Sequence, residues 1–177
     1  MSKMPRIDSK KFYSSAIEMY GVSAKGVNWH SKESQKTRFD IIAKLLPQDL
    51  SQTTIADAGC GFGDLYHYLE KKNRKPKRYI GIDALDEMCA IAANTTGCEV
   101  LCMDICKENL PQADFYICSG ALNVLEKFEV CLFIANCFKS SKIGFIFNTL
   151  FGEQKSQTYN YMSLEEINSL AKELNVK

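Results

Sequence analysis

Apolar residues along the chain fall into two alternating periods. Short apolar runs occur at Thr54-Ile55-Ala56, Arg78–Asp83 (RYIGID), Glu99–Met103, Phe115–Cys118 and Ile143–Leu150. Runs of this length and composition suit strands buried on both faces of a parallel sheet. Between them the apolar positions step at helical spacing. Leu65, Tyr66 and Leu69 predict a helix from Asp64 to about Glu70; Met88, Ile91 and Ala92 predict one from Leu85 to about Asn94, broken by Gly97. Val130, Phe133, Ile134 and Cys137 line one side of a helix over Glu126–Ser140, and Ser163 with Glu166 forms a capping box for a helix through Leu174. Upstream, Phe12, Ala16 and Met19 share a helical face in Lys11–Tyr20. A second early helix starts near Ser31, carries Phe39, Ile41, Ile42, Leu45 and Leu46, and stops at Pro47. Strands alternating with helices predict an α/β fold: a Rossmann-like, doubly wound, mostly parallel sheet with helices on both faces.

The most informative joint is the one after the first strand. Asp57 ends the apolar run and glycine then recurs at Gly59, Gly61 and Gly63, directly before a helix. Glycines are needed where φ is positive or where a ligand lies against bare main chain. A dinucleotide fingerprint, G-x-G-x-x-G, would place its third glycine at position 64, which is Asp64. The pattern present is D-x-G-x-G-x-G. It resembles motif I of the class I S-adenosylmethionine-dependent methyltransferases, and the residues that follow extend the likeness. Asp83 closes the second strand, Asp104 follows the third, and Ser119 stands at the end of the fourth.

The resemblance implies specific roles. The loop (Gly59, Cys60, Gly61, Gly63) would hold the methionine part of the cofactor, with Asp57 orienting the loop and the ammonium group. Asp83 would accept the ribose hydroxyls, with Ala84 and Met88 beside it. Asp104 would bind the adenine amine, Ile105 would pack on the ring, and Ser119 would face the same cleft. Trp29, Ser34 and Arg38 lie in a segment similar to the N-terminal element that closes the cofactor pocket in a small bacterial group of these enzymes. Arg38 would then pair with the cofactor's carboxylate. His30 is a candidate general base, used only if the acceptor must lose a proton; no catalytic residue is assigned. The fourth strand ends Cys118-Ser119-Gly120-Ala121, without the [DN]-P-P-[YF] tetrad of nucleobase amine methyltransferases.

Composition narrows the reading further. The 177 residues are 46% hydrophobic and 24% charged with net charge +1, an ordinary balance that supplies no nucleic-acid-coating or membrane-surface signal. No apolar run approaches the ~20 residues of a membrane span, and the N-terminus lacks a signal-peptide core, so a cytoplasmic protein is expected. The basic run KKNRKPKR has no interleaved aromatics and reads as a solvated connection. Eight cysteines without C-x-x-C spacing read as free thiols, with Cys118, Cys131 and Cys137 in apolar surroundings; no metal is expected.

One methyltransferase domain over 1–177 is expected, with 1–10 flexible, a helical cap over 11–50 and an α/β core over 51–177. The resemblance implies two further C-terminal strands that complete a seven-stranded sheet; these are expected to be missing here, as in a truncated or shortened variant. The expected activity is methyl transfer from S-adenosylmethionine to a small-molecule acceptor, leaving S-adenosylhomocysteine. Phe151, Tyr159 and Tyr161 are candidates to line the acceptor pocket. The alternatives are a non-catalytic module binding the same cofactor or its product, and an RNA or protein methyltransferase.

Overall fold

The computed structural model of the protein describes residues 32–176, together with Ser15, Glu18, Met19 and Gly21. The expectations for residues 1–10, Phe12, Ala16, Trp29, His30 and the helix start at Ser31 lie outside the described residues. Met19 is helical but 71% exposed, so it covers no core.

The elements are α1 (Lys32–Leu45), β1 (Thr54–Ala58), α2 (Asp64–Lys71), β2 (Arg78–Asp83), α3 (Asp86–Thr96), β3 (Glu99–Cys102) and β4 (Ala113–Ser119), then a 3₁₀ turn over Ala121–Val124, α4 (Lys127–Ser140), β5 (Ser141–Asn148), β6 (Leu150–Phe151), β7 (Tyr161–Met162) and α5 (Leu164–Glu173). Five strands form one sheet in the order β3-β2-β1-β4-β5, all neighbours parallel. A separate parallel pair joins β6 to β7.

Strand periodicity sorts side chains into two layers. Ile55, Tyr79, Phe115 and Ile117 pack with Phe39, Ile42 and Leu46 of the α1 region and with Leu65 and Leu69 of α2. Ala56, Ala58, Ile80, Ile82, Tyr116 and Cys118 face the other way, against Val130, Phe133, Ile134 and Cys137 of α4 and Leu170 of α5. Helices on both faces of a parallel sheet are the architecture the alternation predicted.

Several boundaries move. β1 runs through Asp57 to Ala58, so Asp57 is a buried strand residue rather than the residue that ends the strand. β3 stops at Cys102, leaving Asp104 two residues beyond it in a turn. β4 begins at Ala113, and β5 starts directly after α4. Ile41 and Leu45 of α1 are exposed, because Phe39, Ile42 and Ala43 take the buried face. Cys131, expected in the core, is exposed, as is Cys102; Cys60, Cys89, Cys118 and Cys137 are buried, and all eight thiols are free. The Ser163–Glu166 capping box is present in both directions. Among the described residues no helix is long and apolar enough to cross a membrane.

Candidate functional site

Chain order reverses at β1: β2 and β3 lie to one side, β4 and β5 to the other. In an open parallel sheet the loops diverge at such a switch point, which opens a crevice beyond the carboxyl ends of the strands. A cleft of about 270 Å³ lies there, lined by residues of α1, the glycine loop, the ends of β2 and β4, and the turn after β3.

The glycine loop is fastened to β2. The Gly59 and Cys60 amides both donate to Ile82 O, at 2.8 and 3.0 Å, and the Gly61 amide donates to Asp83 Oδ2 at 3.0 Å. Gly59 has φ +78°, and a Cβ there would stand 2.5 Å from Ala121 Cβ in the 3₁₀ turn. Position 59 is therefore closed to side chains on two independent grounds. Cys60 tucks its thiol against the bare Cα of Gly81 in β2, where a Cβ would lie only 3.0 Å from Sγ. A glycine inside a buried strand thus has a packing reason.

Two carboxylates sit deep in the cleft. Asp57 is 3% exposed and accepts the Tyr79 hydroxyl at 2.5 Å. Burial pushes its pKa up to about 7; the Tyr79 hydrogen bond opposes this, and the charges of Asp83 and Asp64 add to it. Asp83 also accepts the Leu85 amide, at 3.1 Å. Burial raises its pKa to about 6 against the pull of its backbone donors. Asp104 lines the rim, where Oδ1 accepts the Cys106 amide at 3.0 Å and Oδ2 pairs with Lys107 at 2.6 Å.

The first helix closes one side. Arg38 Nη1 donates to Asn148 Oδ1 at 2.9 Å, and Asn148 Nδ2 donates to Ser119 Oγ at 2.9 Å. This relay joins α1 to the ends of β5 and β4. Burial lowers the Arg38 pKa from its ordinary value. Gln35 Nε2 reaches Asp64 Oδ2 at 2.9 Å, tying α1 to the first turn of α2. Arg38 is the one Lys or Arg among the described lining residues, against the carboxylates of Asp57, Asp64, Asp83 and Asp104. Once Asp83 and Asp57 are ionised, above about pH 6 and 7 respectively, the negative potential of this walled cleft favours a ligand with a cationic part.

Ser34, Arg38, Asp57, Gly59, Cys60, Gly61, Asp83, Ala84, Met88, Asp104, Ile105 and Ser119 all line this one cleft. Gly63 does not. Its φ is +83° and its missing Cβ faces Thr96 and Ala92 of α3, so it serves helix packing. Phe151 is 72% exposed and stands outside the cleft, whereas Tyr159 and Tyr161 line it. Tyr79, Gln35, Asp64 and Asn148 were not anticipated. Asn148 carries a faint signal as a polar residue ending an apolar run; Tyr79 carries none, because its role depends on strand register.

Residues 55–144, just over half of the chain, match the methyltransferase domain family. The chain belongs to that family. No curated protein matches this methyltransferase. Solved structures match its fold. Magnesium protoporphyrin IX methyltransferase from Synechocystis PCC 6803, with bound SAH, superposes with TM-score 0.71 at 14% identity, over 93% of this chain and 83% of that one. The [4+2]-cyclase SpnF gives 0.72 at 17% identity, over 98% and 74%. A SAM-dependent methyltransferase from Leishmania major gives 0.68 at 15% identity, over 94% and 74%.

Proposed function

We propose that this methyltransferase binds S-adenosylmethionine across the ends of β1, β2 and β4 and methylates a small-molecule acceptor. The observation that carries the reading is the convergence of Asp57, Asp83 and Asp104 with the glycine loop on one cleft at the switch point. The donor set suits this ligand in kind. Buried carboxylates favour an ammonium and a sulfonium, a polar strand-end acid suits ribose hydroxyls, and a pyrophosphate would be repelled there.

The cofactor supplies the reactive group, a methyl on a positively charged sulfur. The protein's contribution is alignment and exclusion of water. Asp57 and Arg38 would hold the amino-acid end, Asp83 the ribose, and Asp104 with Ile105 the adenine. An acceptor would enter through a second cavity of about 680 Å³ bounded by residues 152–161, which shares Val124, Leu125, Tyr159 and Tyr161 with the cleft. An acceptor that attacks as a neutral nucleophile needs no base; one that must lose a proton does.

Calorimetry with S-adenosylhomocysteine and with NAD tests the cofactor. Binding of the first and not the second is expected, and the reverse would overturn the reading. Radiolabelled methyl transfer to metabolite and macromolecular fractions tests the acceptor. Label confined to the macromolecular fraction would replace the small molecule by RNA or protein.

A further inference from the structure

Tyr79 has no part in the chemistry described so far, yet it is placed to control one of the groups that has. It sits inside β2, 4% exposed, with its ring 5.1 Å from that of Tyr66 between centroids. The β1–β2 register pairs Ile55 with Tyr79 and Asp57 with Gly81. Tyr79 is therefore the diagonal neighbour of Asp57 on the same face, a separation that a long side chain spans. The residue directly opposite Asp57 is a glycine, so no side chain of β2 intervenes. Tyr79 Oη lies 2.5 Å from Asp57 Oδ2.

A phenylalanine would fill the same apolar space. A hydroxyl taken out of water costs stability unless it finds a partner, and here the partner is the most buried carboxylate of the cleft. Among the described residues, Tyr79 is the one side chain that hydrogen-bonds to Asp57. The other titratable groups around Asp57 come from every neighbouring element: Cys60 in the loop, Asp83 of β2, Asp64 of α2 and Cys118 of β4, with Arg38 of α1 lining the same cleft. The carboxylates repel the Asp57 charge, and burial opposes it. The Tyr79 hydroxyl favours it.

We propose that Tyr79 is a positioning residue of the cofactor site: it holds Oδ2 of Asp57, sets the plane of that carboxylate, and leaves Oδ1 to receive the ammonium group of the bound cofactor. This rests on the S-adenosylmethionine reading, and it assigns that reading a residue that touches neither cofactor nor acceptor. Without the hydroxyl, Asp57 takes up a proton at higher pH and loses its fixed orientation.

The test is calorimetric binding of S-adenosylhomocysteine to the full chain between about pH 5.5 and 9, a window that brackets the carboxylates concerned. Wild type, Tyr79→Phe and Asp57→Asn are compared. Wild-type affinity is expected to rise as pH passes about 7, where Asp57 ionises. In Tyr79→Phe that rise moves to higher pH, with binding about tenfold weaker near neutrality and the gap narrowing at the alkaline end. Asp57→Asn loses the rise near neutrality and keeps only the lower one from Asp83. A Tyr79→Phe profile that coincides with wild type, or lies below it by the same factor at every pH, overturns the proposal. Should Tyr79→Phe fail to fold, Tyr79→Leu takes its place under the same readings; a rise near neutrality that survives in Asp57→Asn also overturns the proposal. Wild type that binds no S-adenosylhomocysteine at any pH is a different result, and it removes the cofactor reading itself.

Discussion

Asp83 Oδ2 accepts the amide of Gly61 at 3.0 Å, so the last carboxylate of the second strand holds the middle of the loop that follows the first. Its second oxygen accepts the Leu85 amide ahead of α3. One side chain thus fixes the loop, holds the residue that precedes a helix and faces the cleft. Asp83→Ala leaves two backbone donors without their partner, at about 1–3 kcal/mol for each that water cannot reach. A lower urea midpoint together with weaker S-adenosylhomocysteine binding is expected. Unchanged values of both would show that the loop is held by the Ile82 carbonyl alone.

If Asp57 meets the cofactor, it sets affinity against stability. Its pKa is raised from 3.8 to about 7 by burial. The folded protein keeps the proton while the unfolded chain has released it, so apo stability falls as pH climbs from about 4 to about 7 and is level above. Asp57→Asn removes that cost. At about pH 8 the apo variant is expected to be more stable than wild type by about 2–4 kcal/mol, with no gain near pH 4. Cofactor binding is expected to weaken at the same time. Denaturant titrations at the two pH values check the first part and calorimetry the second; equal stability of variant and wild type at pH 8 would contradict it.

Gly81 and Cys60 are a size-matched pair. A methyl at position 81 would lie 3.0 Å from Cys60 Sγ and 3.3 Å from Val100 Cγ2. Gly81→Ala is expected to cost about 1–3 kcal/mol by overpacking and to shift the loop that carries Gly59 and Gly61. Cys60→Ala in the same chain makes room. A double-mutant cycle should show a favourable coupling of about 1 kcal/mol or more; strict additivity would mean that the thiol moves aside without cost.

Arg38 bridges the first helix to the far strand ends through Asn148. If it also meets the carboxylate of the cofactor, Arg38→Ala should weaken S-adenosylhomocysteine binding by roughly 1.5–3 kcal/mol, the range for hydrogen bonds to charged groups. Asn148→Ala breaks the relay but keeps the guanidinium, so its smaller loss separates the structural contact from the ligand contact. An unchanged dissociation constant in Arg38→Ala would take it out of the site.

Much of the site is written locally. An acid late in an apolar run, followed by glycines at every second position, can be read without coordinates, because each glycine answers a local backbone demand, as the positive φ values at 59, 61 and 63 bear out. What such spacing does not carry is direction. Gly63 belongs to the same motif as Gly59 and Gly61, yet its open side faces α3 rather than the cleft. Helical faces fail for the same reason: Ile41 and Leu45 are as apolar as Phe39 and Ile42, and only the packing of α1 on the sheet decides which pair meets solvent.

The succession of strands and helices along the chain, the glycine loop and the acids at or near the ends of the first three strands were therefore determined by sequence alone, since each arises from neighbours along the chain. The partnership of Tyr79 with Asp57, the seat of Cys60 on Gly81 and the Arg38–Asn148–Ser119 relay were decided only by tertiary structure. Each joins residues far apart in sequence, and each depends on the parallel register of strands that only the folded sheet sets.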